Sequence, residues 1–220
     1  RNAPMTMSGV EDMITRAIEV FAADRTGLQD FALATTGGAV IGHSALSPLT
    51  TGGPTGEEFR GLLHSLAEKF MGNANPLRSP VHPKATEWLL APGIETPGHC
   101  LALDGTSGFV DVALHTEILL ASVTLEHISK SIAATQDSAP KDMQLFGWND
   151  DDPQMVKLGE FTYDINGPEL QTFEANLISR SSSKPVKFVR LQVLSNHGHP
   201  DYTVIYRLRV HGTPAATKLS

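Results

Sequence analysis

The chain has 220 residues, 40% of them hydrophobic, enough for one sizeable domain with a short appendage. Seventeen basic residues against 24 acidic ones give a formal net charge of -7, which argues against a surface built to neutralise nucleic-acid phosphates. No run approaches the roughly 18 apolar residues of a membrane helix, and there is no signal-peptide pattern or Asn-x-Ser/Thr acceptor; because the sequence begins at Arg1, a missing targeting signal excludes nothing.

In chain order, Ser8-Gly-Val-Glu11 has the form of a capping box, and Val10, Met13, Ile14, Ala17, Ile18 and Phe21 follow at helical spacing. The pattern predicts a helix ending around 24–27. Its apolar stripe would pack either on its own domain or against copies of itself in an oligomer. After the Thr35-Thr-Gly-Gly38 break comes 42–83, rich in Gly, Pro, Ser and Thr at both ends. Inside it Phe59, Leu62, Leu63, Leu66 and Phe70 predict a short helix on a long excursion, a pattern suited to a binding loop or lid.

From Trp88 onward the texture changes to short alternating runs. Segments 109–114, 122–127, 143–146, 161–163, 188–194 and 202–210 read as strands, punctuated by Pro92-Gly93, Pro97-Gly98, Asp104-Gly105 and Asn166-Gly-Pro168. Strands at this spacing with no helices between them predict a mainly β domain, an antiparallel β-sandwich or barrel. In the last run Tyr202, Val204, Tyr206, Leu208 and Val210 share one face, and Thr203, Ile205, Arg207, Arg209 and His211 the other. The first face is apolar with two phenols, the second mostly polar. Buried tyrosine hydroxyls require partners.

Nine histidines invite a metal reading. His197-x-His199 with His211, His99 and Cys100 offers ligand types that zinc prefers, although the spacing matches no known ligand pattern. Asp104, Glu126 and Asp164 are carboxylates available for acid/base work, with no pairing visible in sequence. No Gly-x-Ser-x-Gly elbow, P-loop or dinucleotide fingerprint is present. His127 shares parity with Val123 and Leu125 at the end of a strand, which puts it on a buried face. Ser129-Lys-Ser131 and Gln136-Asp-Ser138 follow it. A histidine, a serine and the two tyrosines could converge on a carboxylate.

These residues lie in a run of blocks that resembles the SUN domain family. The blocks are Asp30-Phe-Ala-Leu33 with Gly37-Gly38, Pro97-Gly-His-Cys100, Val123-Thr-Leu-Glu-His127, Ser138-Ala-Pro-Lys-Asp142, Gly147-Trp148, Ser195-Asn-His-Gly198 and Tyr206-Arg-Leu-Arg-Val-His-Gly212. They run in family order from Asp30 to Pro214, and their wording is closest to plant-type members. The resemblance implies a galactose-binding-like, jelly-roll β-sandwich over 30–214 with a lid-like insertion at 43–83. An N-terminal helical segment at 1–29, for trimerisation or its control, would precede it, and a tail at 215–220 would follow. It further implies a membrane-anchored protein of the inner nuclear membrane whose domain faces the perinuclear space as a homotrimer. Its partner would be the C-terminal tail of a KASH protein, in the LINC tether between nucleus and cytoskeleton. The implied role is tethering, not catalysis. The alternatives are a carbohydrate-binding sandwich module and a metal-dependent enzyme using His197, His199 and His211.

Carried over position by position, His127, Ser138, Tyr202 and Tyr206 match the residues around the KASH terminal carboxylate. A loop that binds a monovalent cation, K+ or Na+, through backbone carbonyls corresponds to 89–99, with Ala91, Gly93, His99 and Tyr206 as donors. No organic cofactor is implied. Three departures accompany the resemblance. Val204 stands where many members carry the cysteine that pairs with the Cys100 equivalent. The cysteine that some animal members bond to KASH has no counterpart here. The 42–83 excursion is longer than the family's hairpin lid.

Overall fold

The computed structural model describes residues 10, 13–15, 25–44, 82, 84–93, 97–133, 135–175 and 184–215. Within these lie nine strands: β1 (Ala39–His43), β2 (Leu101–Asp104), β3 (Gly108–Glu126), β4 (Asp142–Trp148), β5 (Val156–Thr162), β6 (Leu170–Glu174), β7 (Val186–Val193), β8 (Tyr202–Ile205) and β9 (Arg207–Pro214). A five-residue helix, α1 (Ala85–Leu89), buries Ala85 and Leu89 against the core.

The 19-residue strand β3 organises the fold. Its first part, Gly108 to Ala113, pairs antiparallel with β1 on one side and β7 on the other. Past a register shift its second part, Ile118 to Glu126, pairs with β9, and Ser122 to Glu126 also pair with β6. One half thus belongs to the sheet β1-β3-β7-β4-β5 and the other to β6-β3-β9. Val110, Val112, Leu145, Val189, Leu191 and Val193 from the first layer and Val123, Leu125, Leu208 and Val210 from the second meet in one core. This is the antiparallel sandwich predicted from the strand pattern. The runs 109–114 and 122–127, read as two strands, are one strand that changes partners.

The predicted strand 202–210 is in turn two. Tyr206 interrupts it: β8 pairs with β2 in a separate two-stranded sheet, and β9 pairs with β3. The mostly polar face of this run is not turned to solvent. Thr203, Arg207, Arg209 and His211 are all buried. Arg209 donates to Glu126 at 2.6 Å, and the Arg25 guanidinium reaches the other oxygen of the same carboxylate. Arg207 lies 3.8 Å from Asp30, and His211 sits between the Gln29 carbonyl and the Thr124 hydroxyl, each at 2.8 Å. Buried charges persist when paired and hydrogen-bonded, and the partners come from remote parts of the chain.

The segment before β1 is tied down at the edge of β9. Phe31 N–H donates to the Val210 carbonyl and Val210 N–H to the Asp30 carboxylate. The chain then turns through a short 3-10 helix, Ala34–Thr36, whose C-cap Gly37 takes φ 109. At Gly38 a Cβ would lie 1.9 Å from the Ala32 carbonyl oxygen, so no larger residue fits this turn. Gly42 and His43, read as the start of the lid excursion, still pair with Asp111 and Val110. The predicted 57–70 helix falls outside the described residues. Of the 8–21 helix, Val10 and 13–15 are described and helical, with Met13 and Ile14 about half exposed.

Candidate functional site

The two-stranded sheet β2-β8 carries a small apolar cluster of its own. Cys100, Ala102, Ile128, Val204 and Tyr206 form it, with Ala133 and Tyr202 packed alongside. Val204, where the resemblance implied a missing cysteine, shares this cluster with Cys100. The Cys100 thiol is buried, and that burial pushes its pKa up to about 12, so it stays protonated and donates to the Gly98 carbonyl.

Two of the four residues matched to the carboxylate site, His127 and Tyr206, meet where β8 passes into β9. The rings of His127 and Tyr206 meet edge to face at 4.9 Å. Ser138 lies alongside, its carbonyl accepting from Val204 N–H at 2.8 Å. Tyr202 sits at the far end of β8, its ring 3.8 Å from that of His199. Beneath His127 and Tyr206 is a small, mainly apolar pocket, lined also by Leu125, Glu126, Pro140, Tyr163, Val204 and Ile205.

The His127 ring and the Tyr206 phenol at this cavity are neutral. Burial pulls the His127 pKa from 6.5 down to about 4 and pushes the Tyr206 phenol upward, with the Cys100 sulfur adding to the latter. Tyr206 oxygen accepts from Gly98 N–H at 3.4 Å, which leaves its own proton for a ligand. His127 Nδ1 lies 3.3 Å from the Ile128 carbonyl, whereas Nε2 is buried with no hydrogen-bond partner among the described residues. A buried polar atom without a partner is rare, and here it belongs to a ring that lines a cavity.

A pH effect follows from the depressed histidine. Between pH 6.5 and about 4 the unfolded chain binds a proton that buried His127 refuses, so folding stability falls as pH falls through that window. Relative to a His127→Gln variant, the native protein should lose up to about 1.4 kcal/mol per pH unit there and be unchanged above it, as urea unfolding at a series of pH values will show.

Several supporting residues were missed in the sequence. Asn196 donates to the His199 and Tyr202 carbonyls at 2.7 and 3.1 Å and accepts from Gly198 N–H at 3.0 Å, fixing the turn before β8. Tyr163 donates to the Glu169 carbonyl, which also accepts from His127 N–H. Gln136 donates to the Ile128 carbonyl at 2.8 Å. The Ser195-Asn-His-Gly198 turn was legible as a turn; the roles of Asn196, Tyr163 and Gln136 depend on contacts distant in sequence.

The zinc alternative is not supported by position. His197 Nε2 pairs with the Tyr163 carbonyl, His199 packs on Tyr202, and both ring nitrogens of His211 are engaged in the core. Among the described residues no three His, Cys, Asp or Glu side chains group as metal ligands. Glu126 is committed to its arginines, and Asp164 accepts from Asn166 N–H in a turn. In the 89–99 loop, Gly93 and Gly98 adopt φ 100 and 91, His99 stacks on Trp88 at 4.2 Å, and the Gly98–Tyr206 bond joins the loop to the site. Backbone carbonyls are a donor set suited to a monovalent cation and indifferent to side-chain type.

The fold and this site together define an antiparallel β-sandwich with a small, mainly apolar pocket where His127 and Tyr206 meet. The Sad1 / UNC-like C-terminal family matches residues 80–214, and the chain belongs to this family, the SUN domains. It is 37% identical over 205 residues to SUN domain-containing protein 2 of Arabidopsis thaliana, covering 91% of this chain and 40% of that protein. It is 35% identical over 214 residues to SUN domain-containing protein 2 of Mus musculus, covering 96% of this chain and 26% of that one. The chain therefore spans well under half the length of these curated relatives. Among solved structures, a family 32 carbohydrate-binding module from Streptococcus pneumoniae EndoD superposes with TM-score 0.51 at 15% identity, covering 84% of this chain and 99% of the module, a likeness of fold.

Proposed function

We propose that this SUN domain captures the C-terminal tail of a KASH protein, with His127, Ser138, Tyr202 and Tyr206 around its terminal carboxylate. The observation that carries the reading is the unpartnered Nε2 of His127 beside the Tyr206 phenol on a cavity. A carboxylate brings several acceptor sites, and neutral donors satisfy it in a partly apolar pocket at about 1.5–3 kcal/mol per hydrogen bond to the charge. The rest of the affinity comes from an extended peptide held beneath the 43–83 insertion. The cysteine that some animal members bond to KASH has no counterpart here and Cys100 is buried, so the linkage is non-covalent.

On this reading 30–214 is the SUN domain, 1–29 a helical segment that controls trimerisation, and 215–220 a tail. The whole protein is anchored in the inner nuclear membrane with this domain in the perinuclear space, as the inner half of the LINC tether and not as an enzyme. A K+ or Na+ ion held by carbonyls of Ala91, Gly93, His99 and Tyr206 would stiffen the loop that Tyr206 anchors. The sandwich's likeness to a carbohydrate-binding module is one of fold and names no ligand here. Isothermal titration decides between them: saturable binding of a KASH-type peptide with a free C-terminus is expected, whereas glycan binding without peptide binding would replace the tether reading.

A further inference from the structure

Resting on that reading, we infer that Gln136 is a positioning residue that lets His127 change tautomer when the peptide carboxylate arrives. In the structure His127 Nδ1 faces the Ile128 carbonyl at 3.3 Å. A carbonyl only accepts, so Nδ1 carries the ring hydrogen. Nε2 of the neutral ring is then a bare lone pair, buried with no hydrogen-bond partner among the described residues, on a ring that lines the cavity. A carboxylate placed against that lone pair would meet repulsion. The free state therefore holds the site's principal nitrogen in the wrong form for its ligand.

Moving the hydrogen to Nε2 turns that nitrogen into a donor and releases the Ile128 carbonyl. Released alone, a part-buried carbonyl would lose its partner at a real cost. Here it does not, because Gln136 Nε2 already donates to the same oxygen at 2.8 Å, a shorter contact than the histidine makes. The Ile128 carbonyl thus has one donor to spare, and the ring can exchange Nδ1–H for Nε2–H at constant charge. Gln136 is held in place from its own backbone, whose carbonyl accepts from Ala139 N–H in the turn that carries Ser138. The other groups against the ring are Tyr206, Tyr163, His197 and Glu126, and the Glu126 carboxylate is occupied by Arg25 and Arg209. None of these contributes a second donor to the Ile128 oxygen.

The test pairs nitrogen-15 spectra of the His127 ring with peptide titrations of the native chain and a Gln136→Met variant, which keeps the side-chain length and removes the donors. The expected result is hydrogen on Nδ1 in the free native protein and on Nε2 in the complex. Gln136→Met should bind the free-acid peptide about tenfold or more weakly, with its melting curve and its affinity for the C-terminally amidated peptide little changed. Hydrogen remaining on Nδ1 in the complex, hydrogen on both nitrogens, or equal affinity of the variant for the free acid would each overturn the inference. A native protein that binds no peptide would remove the tether reading along with it.

Discussion

Glu126→Ala should cost about 3–5 kcal/mol of folding stability, the range for removing one member of a buried ion pair. The carboxylate is 5% exposed and the Arg209 side chain 1%, with 2.6 Å between them. Deleting the acid takes the Glu126 charge away from a buried guanidinium. Arg25, whose side chain is 43% exposed, contributes far less, and Arg25→Ala should change stability by about 1 kcal/mol or less. The double variant Glu126→Leu with Arg209→Met should recover most of the loss, because an apolar pair of similar size removes both desolvation penalties. Urea midpoints at constant m-value measure all three. Equal effects of Glu126→Ala and Arg25→Ala would contradict the buried pair.

The second large effect falls on binding. Tyr206→Phe and His127→Ala should each weaken a free-acid KASH-type peptide by about 10- to 100-fold, the equivalent of one hydrogen bond to a charged group. Tyr206 has two duties, since its oxygen also accepts from Gly98 N–H. Tyr206→Phe therefore loosens the 89–99 loop as well and should be the more damaging when affinity is measured without added K+ or Na+. Tyr202→Phe should be milder. Its ring rests on His199 at the opposite end of β8 from the His127–Tyr206 contact. Calorimetric titration of the three variants orders them.

Much of the sandwich was legible because its central strands alternate clearly. Val189, Leu191 and Val193 are buried as their parity requires, and Met143 and Leu145 of β4 likewise. The edges were not legible. β1 and β6 are five residues each with no fully buried position, so no hydrophobic alternation marks them; β2 is buried but has only four residues, Leu-Ala-Leu-Asp, too few to show a period. The length of β3 was hidden for a related reason. Its partners change between Ala113 and Ile118, and the sequence between, His115-Thr-Glu117, looks like a break although the backbone runs through.

At the site, the parity that put His127 in the interior was right in outcome but not in reason. From Ser122 to His127 every residue is buried, whichever face it takes, so both faces of this half of β3 are covered. Arg207, Arg209 and His211 are buried as well. Alternation reports which face a side chain takes, not whether that face is covered, and the cover here comes from Gln29, Asp30 and Glu126, far away in sequence. His127 and Tyr206 were brought together on paper by resemblance. The interruption at Tyr206, which turns its ring onto His127 as the chain leaves one sheet for the other, has no signature in the residues themselves.

The central claim is that a terminal carboxylate is what this site recognises. Calorimetric titration of the native protein with one KASH-type peptide, as the free acid and as the C-terminal amide, tests it most directly. Loss of the charge should weaken binding by about tenfold or more, with at least one charge-assisted hydrogen bond gone. Equal affinities for acid and amide would contradict the account.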